Sequence, residues 1–207
     1  MTSFETEEQQ IAHLKMWWKE NGKAVIVGVV LGFGAILGVR AYLSHVETTR
    51  QEASIAFEGL KMAEQQKAED LISRGEQIVE KYPDTPYAAM ASLALARVHV
   101  EKGELAAAEN RLQWVVEHAS QPDIVHVARL NLARVLLAEA KPDQALSLLA
   151  DVKMESYTPV YQELRGDIYV AKKQPAQART AYMAALESLD NNGDRQILQM
   201  KLDDLGG

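Results

Sequence analysis

The stretch LARVLLAEAKPDQA, residues 132–145, decides the fold because similar stretches lie on both sides of it. They are LARVHVEKGELAAA from Leu95 and RGDIYVAKKQPAQA from Arg165. Small residues let two helices cross closely, so their recurrence predicts a row of helical hairpins. In each stretch a small residue is followed twelve positions later by alanine, in the pairs Ala96 and Ala108, Ala133 and Ala145, and Gly166 and Ala178.

The spacing of these units resembles the tetratricopeptide repeat (TPR), whose period is about 34 residues. Equivalent residues here lie 37 and then 33 positions apart, and the longer spacing predicts a lengthened turn near Glu117–Pro122. A large residue lies four positions beyond the second alanine of each pair, at Leu112, Leu149 and Tyr182. The units are degenerate, because the usual early tryptophan is replaced by Ser92, Arg129 and Gln162.

We predict an all-α fold with one N-terminal transmembrane helix followed by a TPR-like α-solenoid. The repeats predict about three to four helix hairpins in the solenoid, and the transmembrane helix is predicted by an apolar stretch nearer the amino terminus. The repeats and a C-terminal capping helix occupy residues 82–207, and the capping helix runs from about Asp194 to Leu205. Residues 44–81 form a helical connector that is also a candidate for a degenerate first hairpin. Ala56 and Ala68 repeat the spacing of twelve there, although the match is poor.

The stretch AVIVGVVLGFGAILGV, residues 24–39, carries no charge and predicts the transmembrane helix. As a helix it reaches only ~24 Å of the ~30 Å hydrocarbon layer. Lys23 and Arg40 at its ends can extend their charged groups into the headgroup layer, and extension through Leu43 gives about twenty residues. We therefore place the transmembrane helix at residues 23–43.

A buried core helix and a cleaved signal peptide are the alternatives to this anchor. The segment before the stretch is long and partly acidic, and no A-x-A site follows it, which disfavours a signal peptide. A core helix is disfavoured by four glycines, which are commoner in membrane helices: Gly28, Gly32, Gly34 and Gly38. The same glycines form two G-x-x-x-G steps, which either permit a helix–helix contact in the membrane or are tolerated by lipid.

Residues 1–22 form an amphipathic arm before the anchor. Its apolar residues recur at three- and four-residue steps, which is typical of a helix that reaches the membrane interface: Phe4, Ile11, Leu14, Trp17 and Trp18. The distribution of basic residues near the anchor only weakly predicts that the amino terminus lies on the inner side of the membrane. Three precede the anchor and two follow it, namely Lys15, Lys19 and Lys23 against Arg40 and Arg50.

The composition excludes several functions. The chain has 207 residues, a net charge of −7 and no cysteine, so disulfides and thiolate catalysis are ruled out. The acidic body lacks the basic patch that nucleic-acid binding needs. The five histidines are not paired at ligand spacing, and no nucleophile motif is present. We therefore predict a protein that is not an enzyme and has no metal or cofactor.

Binding is the function that the repeats favour, because the first helices of TPR hairpins line a concave surface. From that surface we single out five candidate partner-binding residues, Arg97, Asn131, Arg134, Glu163 and Asp167. The two arginines occupy matching positions and could meet an acidic group or chain terminus of an extended partner. The alternative is that both pair with neighbouring carboxylates. The other residues expected on this surface are Met90, Leu93, Val127, Leu130 and Val160.

Several motifs along the whole chain carry a family resemblance. They are Glu20–Lys23, GVVLGFGAILG from Gly28, Arg40, Tyr42 and Ser44–His45 near the anchor. In the body they are SLALA from Ser92, NLARV from Asn131, LRGD from Leu164 and QMKLDDL from Gln199. On these residues the chain resembles the ancillary SecYEG translocon subunit family, known as YfgM.

The resemblance implies a single-pass protein of the bacterial inner membrane, with its amino terminus in the cytoplasm and its TPR-like domain in the periplasm. It implies association with the SecYEG translocon and with a periplasmic PpiD-type membrane-anchored chaperone, linking newly translocated client proteins to periplasmic chaperones. One alternative is that the cytoplasmic arm binds a response regulator and acts as a negative regulator of an envelope stress response. Another is a general periplasmic scaffold of the cell envelope.

Overall fold

The computed structural model describes residues 7–65, 70–150, 155–189 and 192–206. Within these ranges the secondary structure is helical throughout, with one short 3₁₀ helix at Glu155–Tyr157 and no strand. The predicted all-α fold is therefore confirmed. The α-helices are α1 (Glu7–Gln65), α2 (Leu71–Lys81), α3 (Pro86–Glu101), α4 (Leu105–His118), α5 (Pro122–Ala138), α6 (Pro142–Leu148), α7 (Thr158–Ala171), α8 (Pro175–Glu187) and α9 (Asn192–Asp204).

The chain divides into two compact units, residues 1–51 and 52–207. The first unit consists of the N-terminal part of α1, which continues without a break through the predicted boundaries at residues 22 and 43. The most apolar 18-residue window of α1 has a mean hydropathy of 2.2 and is 0% buried. By length and composition this helix can cross a membrane, and its exposure argues against the core-helix alternative.

The second unit contains three helical hairpins, formed by α3 with α4, α5 with α6, and α7 with α8. The small residues that predicted them are buried in all three hairpins. The closest approach is at Gly166 of α7, where an added Cβ would come within 2.2 Å of Cε1 of Tyr182 on α8. Glycine and alanine at these positions therefore let the helices pack, as the sequence pattern predicted.

All three hairpins turn through the same backbone motif. The residues at the turn have positive φ angles, namely 76° at Gly103, 59° at Ala140 and 60° at Lys173. In the first hairpin the N–H of Glu104 donates to the carbonyl of His99 at 2.8 Å. The second and third hairpins repeat this six-residue hydrogen bond, from Lys141 to Leu136 and from Gln174 to Tyr169. This is the Schellman arrangement that ends a helix, and a proline begins the next helix at Pro142 and Pro175.

The predicted lengthened turn near Glu117–Pro122 is wrong. The connection there has only three residues, because α4 ends at His118 and α5 begins at Pro122. The additional length lies in the helices: α4 has 14 residues, whereas α6 has 7. Ala133 also lies 11 positions after the start of α5, whereas Gly166 lies 8 after the start of α7, and together these outweigh the shorter connection. A helical insertion changes the repeat spacing without any change in turn chemistry, which is why the spacing alone suggested a longer turn.

The C-terminal part of α1 and α2 belong to the second unit and contribute to one apolar cluster with α3. The predicted pair there was Ala56 and Ala68, and Ala68 lies outside the described residues. Another pair with the same spacing of twelve, Ala63 and Gly75, is buried. Each member lies 33 positions before its counterpart in the first full hairpin, Ala96 and Ala108. The domain boundaries at residues 44 and 82 remain predictions.

The last described helix, α9, covers the end of the repeat row. Leu198 and Leu202 of α9 are buried against Ala178, Tyr182 and Ala185 of α8. This packing agrees with the predicted capping helix and its approximate boundaries, Asp194 to Leu205. α9 therefore shields apolar surface that the third hairpin would otherwise expose.

Candidate functional site

A groove of ≈ 510 Å³ between α3 and α5 contains three of the five predicted partner-binding residues. Arg97 reaches it from α3, and Asn131 and Arg134 reach it from α5. We call it the α3–α5 groove. Its apolar lining comes from α3, α4 and α5, through Leu93, Ala94, Ala96, Val100, Leu105, Leu112, Val135 and Ala138.

Arg97 is partly neutralised by carboxylates on its own surface. Its guanidinium forms an ion pair with Glu64 of α1, and its Nε lies 3.9 Å from Glu101, one turn further along α3. The Arg97 side chain is nevertheless 60% exposed, so the pair with Glu64 is not sealed from water. For this arginine the structure has the carboxylate pairing that was the alternative to partner binding.

Arg134 has no such partner among the described residues. Its Nη1 donates to Oδ1 of Asn131 at 3.0 Å, three positions earlier on the same helix, and the side chain is exposed. An amide oxygen orients a guanidinium without neutralising it. Arg134 therefore keeps its full positive charge and most of its hydrogen-bond donors at the edge of the groove.

Of the two apolar residues of α5 expected on the concave surface, one is buried instead. Leu130 is only 6% exposed and belongs to the apolar core rather than to the surface. Val127, three positions earlier on α5, is 41% exposed. The periodicity of α5 therefore identified the correct side of the helix but misjudged where the core ends.

Glu163 and Asp167, the two acidic candidates, do not line the α3–α5 groove. They lie on α7 and share one cation, Lys201 of α9, whose Nζ is 2.8 Å from Glu163 Oε1 and 2.7 Å from Asp167 Oδ1. The hydroxyl of Tyr182 also donates to Asp167 at 2.7 Å. In this structure both carboxylates are therefore engaged within the chain.

The charge state of this cluster follows from its contacts. Burial lowers the pKa of Lys201, but hydrogen bonds and charges from Asp167 and Glu163 outweigh burial and raise it. Burial raises the pKa of Tyr182 strongly, and its hydrogen bond to Asp167 adds to the shift. Lys201 therefore stays protonated and Tyr182 stays neutral at any physiological pH.

Sequence reasoning missed Glu64, although a signal for it was present. Glu64 lies 33 positions before Arg97, as Ala63 lies 33 positions before Ala96. The pair Ala63 and Gly75 would have placed Glu64 in register with Arg97 and Arg134. The alignment on Ala56 and Ala68 shifted that register by seven residues. Seven residues are about two helical turns, so the shifted register places its residues on nearly the same face of the helix.

The predicted membrane contact at Gly28, Gly32, Gly34 and Gly38 remains a prediction. A Cβ added at any of these glycines would have no non-neighbouring atom within 4 Å. Each therefore faces open space within the first unit, where another helix could approach it. Among the described residues, no group of three or more histidine, aspartate or glutamate side chains is arranged to hold a metal ion.

Comparison with known proteins finds relatives that share one name. The family model described as a tetratricopeptide repeat-like domain matches residues 15–207. The ancillary SecYEG translocon subunit of Escherichia coli is 34% identical over 205 residues, covering 99% of each chain. The protein of the same name in Haemophilus influenzae is 34% identical over 199 residues, and the alignment covers 96% of this chain and 97% of that one.

The fold is similar to that of a solved structure from another protein. PilF of Pseudomonas aeruginosa superposes with a TM-score of 0.58 at 20% sequence identity, covering 75% of this chain and 68% of PilF. At this identity the similarity concerns the arrangement of helices alone.

Proposed function

Because this chain belongs to the ancillary SecYEG translocon subunit family, we propose that it is a non-enzymatic, membrane-anchored interaction module of the SecYEG translocon. Its role is to link newly translocated proteins to periplasmic chaperones, among them a PpiD-type membrane-anchored chaperone. α1 anchors it in the bacterial inner membrane, with the amino terminus in the cytoplasm and the repeats in the periplasm. The apolar window of α1 supports the anchor.

The α3–α5 groove is the observation that carries this proposal. A chain that has just crossed the membrane is unfolded and exposes apolar side chains, which the apolar lining of the groove can bury. The acidic residue that lines the groove, Glu64, is paired with Arg97. Arg134 is oriented by Asn131, forms no ion pair in the described residues and can bind an acidic group of the same segment. The groove therefore suits an apolar segment that carries a carboxylate.

Tethering makes such a groove effective even when its intrinsic affinity is low. A binding site held on the same membrane as the channel meets emerging segments at an effective concentration set by the tether, of the order of mM for short links. A weak site can then be occupied during translocation and still release its client to a chaperone.

Photocrosslinking from the groove tests the proposal. A photoreactive residue replaces Val100, which lines the groove and is 43% exposed, and a control probe replaces Met183 of α8, which is 50% exposed and lies outside it. We expect the Val100 probe to capture translocating chains, the PpiD-type chaperone or channel subunits. Arg134→Gln should lower that capture several-fold. Equal capture by the two probes, or no capture of these partners, would show that the groove is not the site.

A second candidate function is regulation by the cytoplasmic arm. It is favoured by the exposed apolar side chains that precede the anchor on α1, Ile11, Leu14, Trp17 and Trp18. Deleting residues 2–14 while keeping Lys15, Lys19 and Lys23 should then change envelope stress signalling and leave translocon association intact. Unchanged signalling would remove this candidate.

A further inference from the structure

Three lysines form a line along one side of α1 immediately before the apolar stretch. Lys15, Lys19 and Lys23 follow one another at four-residue steps, and all three side chains are exposed. Residues four apart on a helix are neighbours on its surface, about 6 Å apart along the axis. We call these three residues the lysine face.

The lysine face repels itself. Lys15 and Lys19, and Lys19 and Lys23, are like-charge pairs at the spacing where such pairs destabilise a helix. The residues three and four positions from Lys19 are Lys15, Met16, Gly22 and Lys23, so the helix offers Lys19 no carboxylate at these spacings. Lys23 has one, Glu20, three positions earlier. None of the three lysines makes an ion pair with a carboxylate in the described residues. An anion bound between neighbouring lysines would relieve this repulsion.

The position of the lysine face selects the kind of anion. Lys23 adjoins Ala24, where the uncharged stretch begins, and Lys19 lies about 6 Å further out. The headgroup layer on each side of a membrane is about 5–7 Å thick, so Lys19 and Lys23 fall within the depth of the lipid phosphates. This placement rests on the proposed role of α1 as the anchor.

Two tryptophans support this depth of the lysine face in the membrane. Trp17 and Trp18 are 50% and 51% exposed, and their ring centroids are 6.4 Å apart. The ring of Trp18 lies over Gly22, because a Cβ added there would come within 3.2 Å of Trp18 Cε2. Trp18 therefore extends along α1 toward the apolar stretch, at the level where indole rings favour the boundary between lipid tails and headgroups.

We propose that the lysine face binds the phosphate of one anionic phospholipid, such as phosphatidylglycerol, between the ammonium groups of Lys19 and Lys23, while Lys15 adds positive charge one turn further out. The preference for an anionic lipid must come from the local charge of the lysine face. The chain as a whole carries a net charge of −7, which repels anionic lipid. An ammonium group donates short, charge-assisted hydrogen bonds to phosphate oxygens. The apolar anchor then places the lipid tails alongside α1.

Native mass spectrometry of the full-length protein tests this. The protein is released from vesicles of equal parts phosphatidylglycerol and phosphatidylcholine. The bound molecules of each lipid are then counted. We expect phosphatidylglycerol to be enriched, and Lys19→Gln to lower its ratio to phosphatidylcholine about fivefold, the effect of one basic residue near a membrane surface. The triple variant K15Q/K19Q/K23Q should abolish the enrichment, and K15R/K19R/K23R should retain it.

Matched controls distinguish binding at the lysine face from a general effect of positive charge on the protein. K61Q/K102Q/K173Q removes three exposed lysines of the second unit and should leave the lipid ratio unchanged. Alkaline extraction confirms that each variant is still inserted. The proposal is overturned if K15Q/K19Q/K23Q keeps the enrichment, if the control triple loses it equally, or if an equal concentration of inorganic phosphate displaces the lipid. Because the readout needs no translocon, its failure leaves the proposed function standing.

Discussion

Gly166 is the residue at which the hairpin packing leaves least space. An alanine Cβ there would come within 2.2 Å of the Tyr182 ring, and Tyr182 is only 2% exposed and hydrogen-bonded to Asp167. The ring cannot move away without loss of that bond. Overpacking of this kind costs about 1–3 kcal/mol, and the better helix propensity of alanine offsets up to ~1 kcal/mol of it. We therefore expect Gly166→Ala to lower the unfolding free energy by about 1–2 kcal/mol.

Gly59 provides the matched control for this prediction. It also lies in a helix, but an added Cβ meets no atom within 4 Å, so Gly59→Ala should raise stability by about 0.5–1 kcal/mol. Urea unfolding of the full-length protein in detergent, followed by circular dichroism, measures both variants. If the two substitutions shift stability in the same direction, the steric argument for Gly166 is incorrect.

Single residues also show what sequence could predict. Arg97 and Arg134 were placed on one surface because they share a repeat register, and the structure brings both to the α3–α5 groove. The difference between them was missed, although the spacing of Ala63 and Gly75 carried a signal for it. It depends on Glu64, which is close to Arg97 in space but 33 positions away in the chain, within a segment whose register was misassigned.

At the scale of one element, Lys201 links α9 to α7. Lys201 is 29% exposed and holds Glu163 and Asp167, which are 32% and 34% exposed. Lys201→Met would leave both carboxylates partly buried without a counter-charge. Losses of charged hydrogen bonds in such settings cost about 1–3 kcal/mol. We expect destabilisation of that size, together with earlier proteolytic cleavage between α8 and α9.

The control for Lys201 is Lys173→Met, at an exposed lysine in the turn before α8. The triple variant K201M/E163Q/D167N should regain part of the loss, because it removes the unpaired charges as well. Denaturant midpoints and a protease time course report both effects. A Lys201→Met protein as stable as the wild type would mean that the ion pairs of Lys201 contribute no net stability to the docking of α9.

Whole elements were easier to predict than their contacts. The recurrence of small residues located the hairpins, since close helix packing depends on a local pattern, and in two hairpins a proline begins the second helix. The partners of α9 were not predictable, because α9 follows the last repeat and its lysine contacts residues 34 and 38 positions earlier. No local pattern encodes a contact of that range.

At the scale of the molecule, the proposed function requires α1 to anchor the chain in the membrane. An arginine at the centre of a membrane helix costs about 2.5–3.5 kcal/mol of insertion free energy. Leu31→Arg, in the middle of the apolar stretch, should therefore lower the fraction of protein that resists alkaline carbonate extraction. Ile55→Arg serves as the control, since Ile55 is 73% exposed in the second unit. Equal extraction of the two variants would contradict the assignment of α1 as the anchor.

The shared turn motif has a consequence for how this family can change over time. Gly103 adopts its left-handed backbone without strain, whereas Ala140 and Lys173 adopt the same conformation at a cost of about 1–2 kcal/mol each. Glycine at either turn would remove that strain and widen the stability margin, which is narrow in natural proteins. A chain with the wider margin can accept more destabilising substitutions in the α3–α5 groove while the hairpins persist. The turns can thus set how far the groove is free to change.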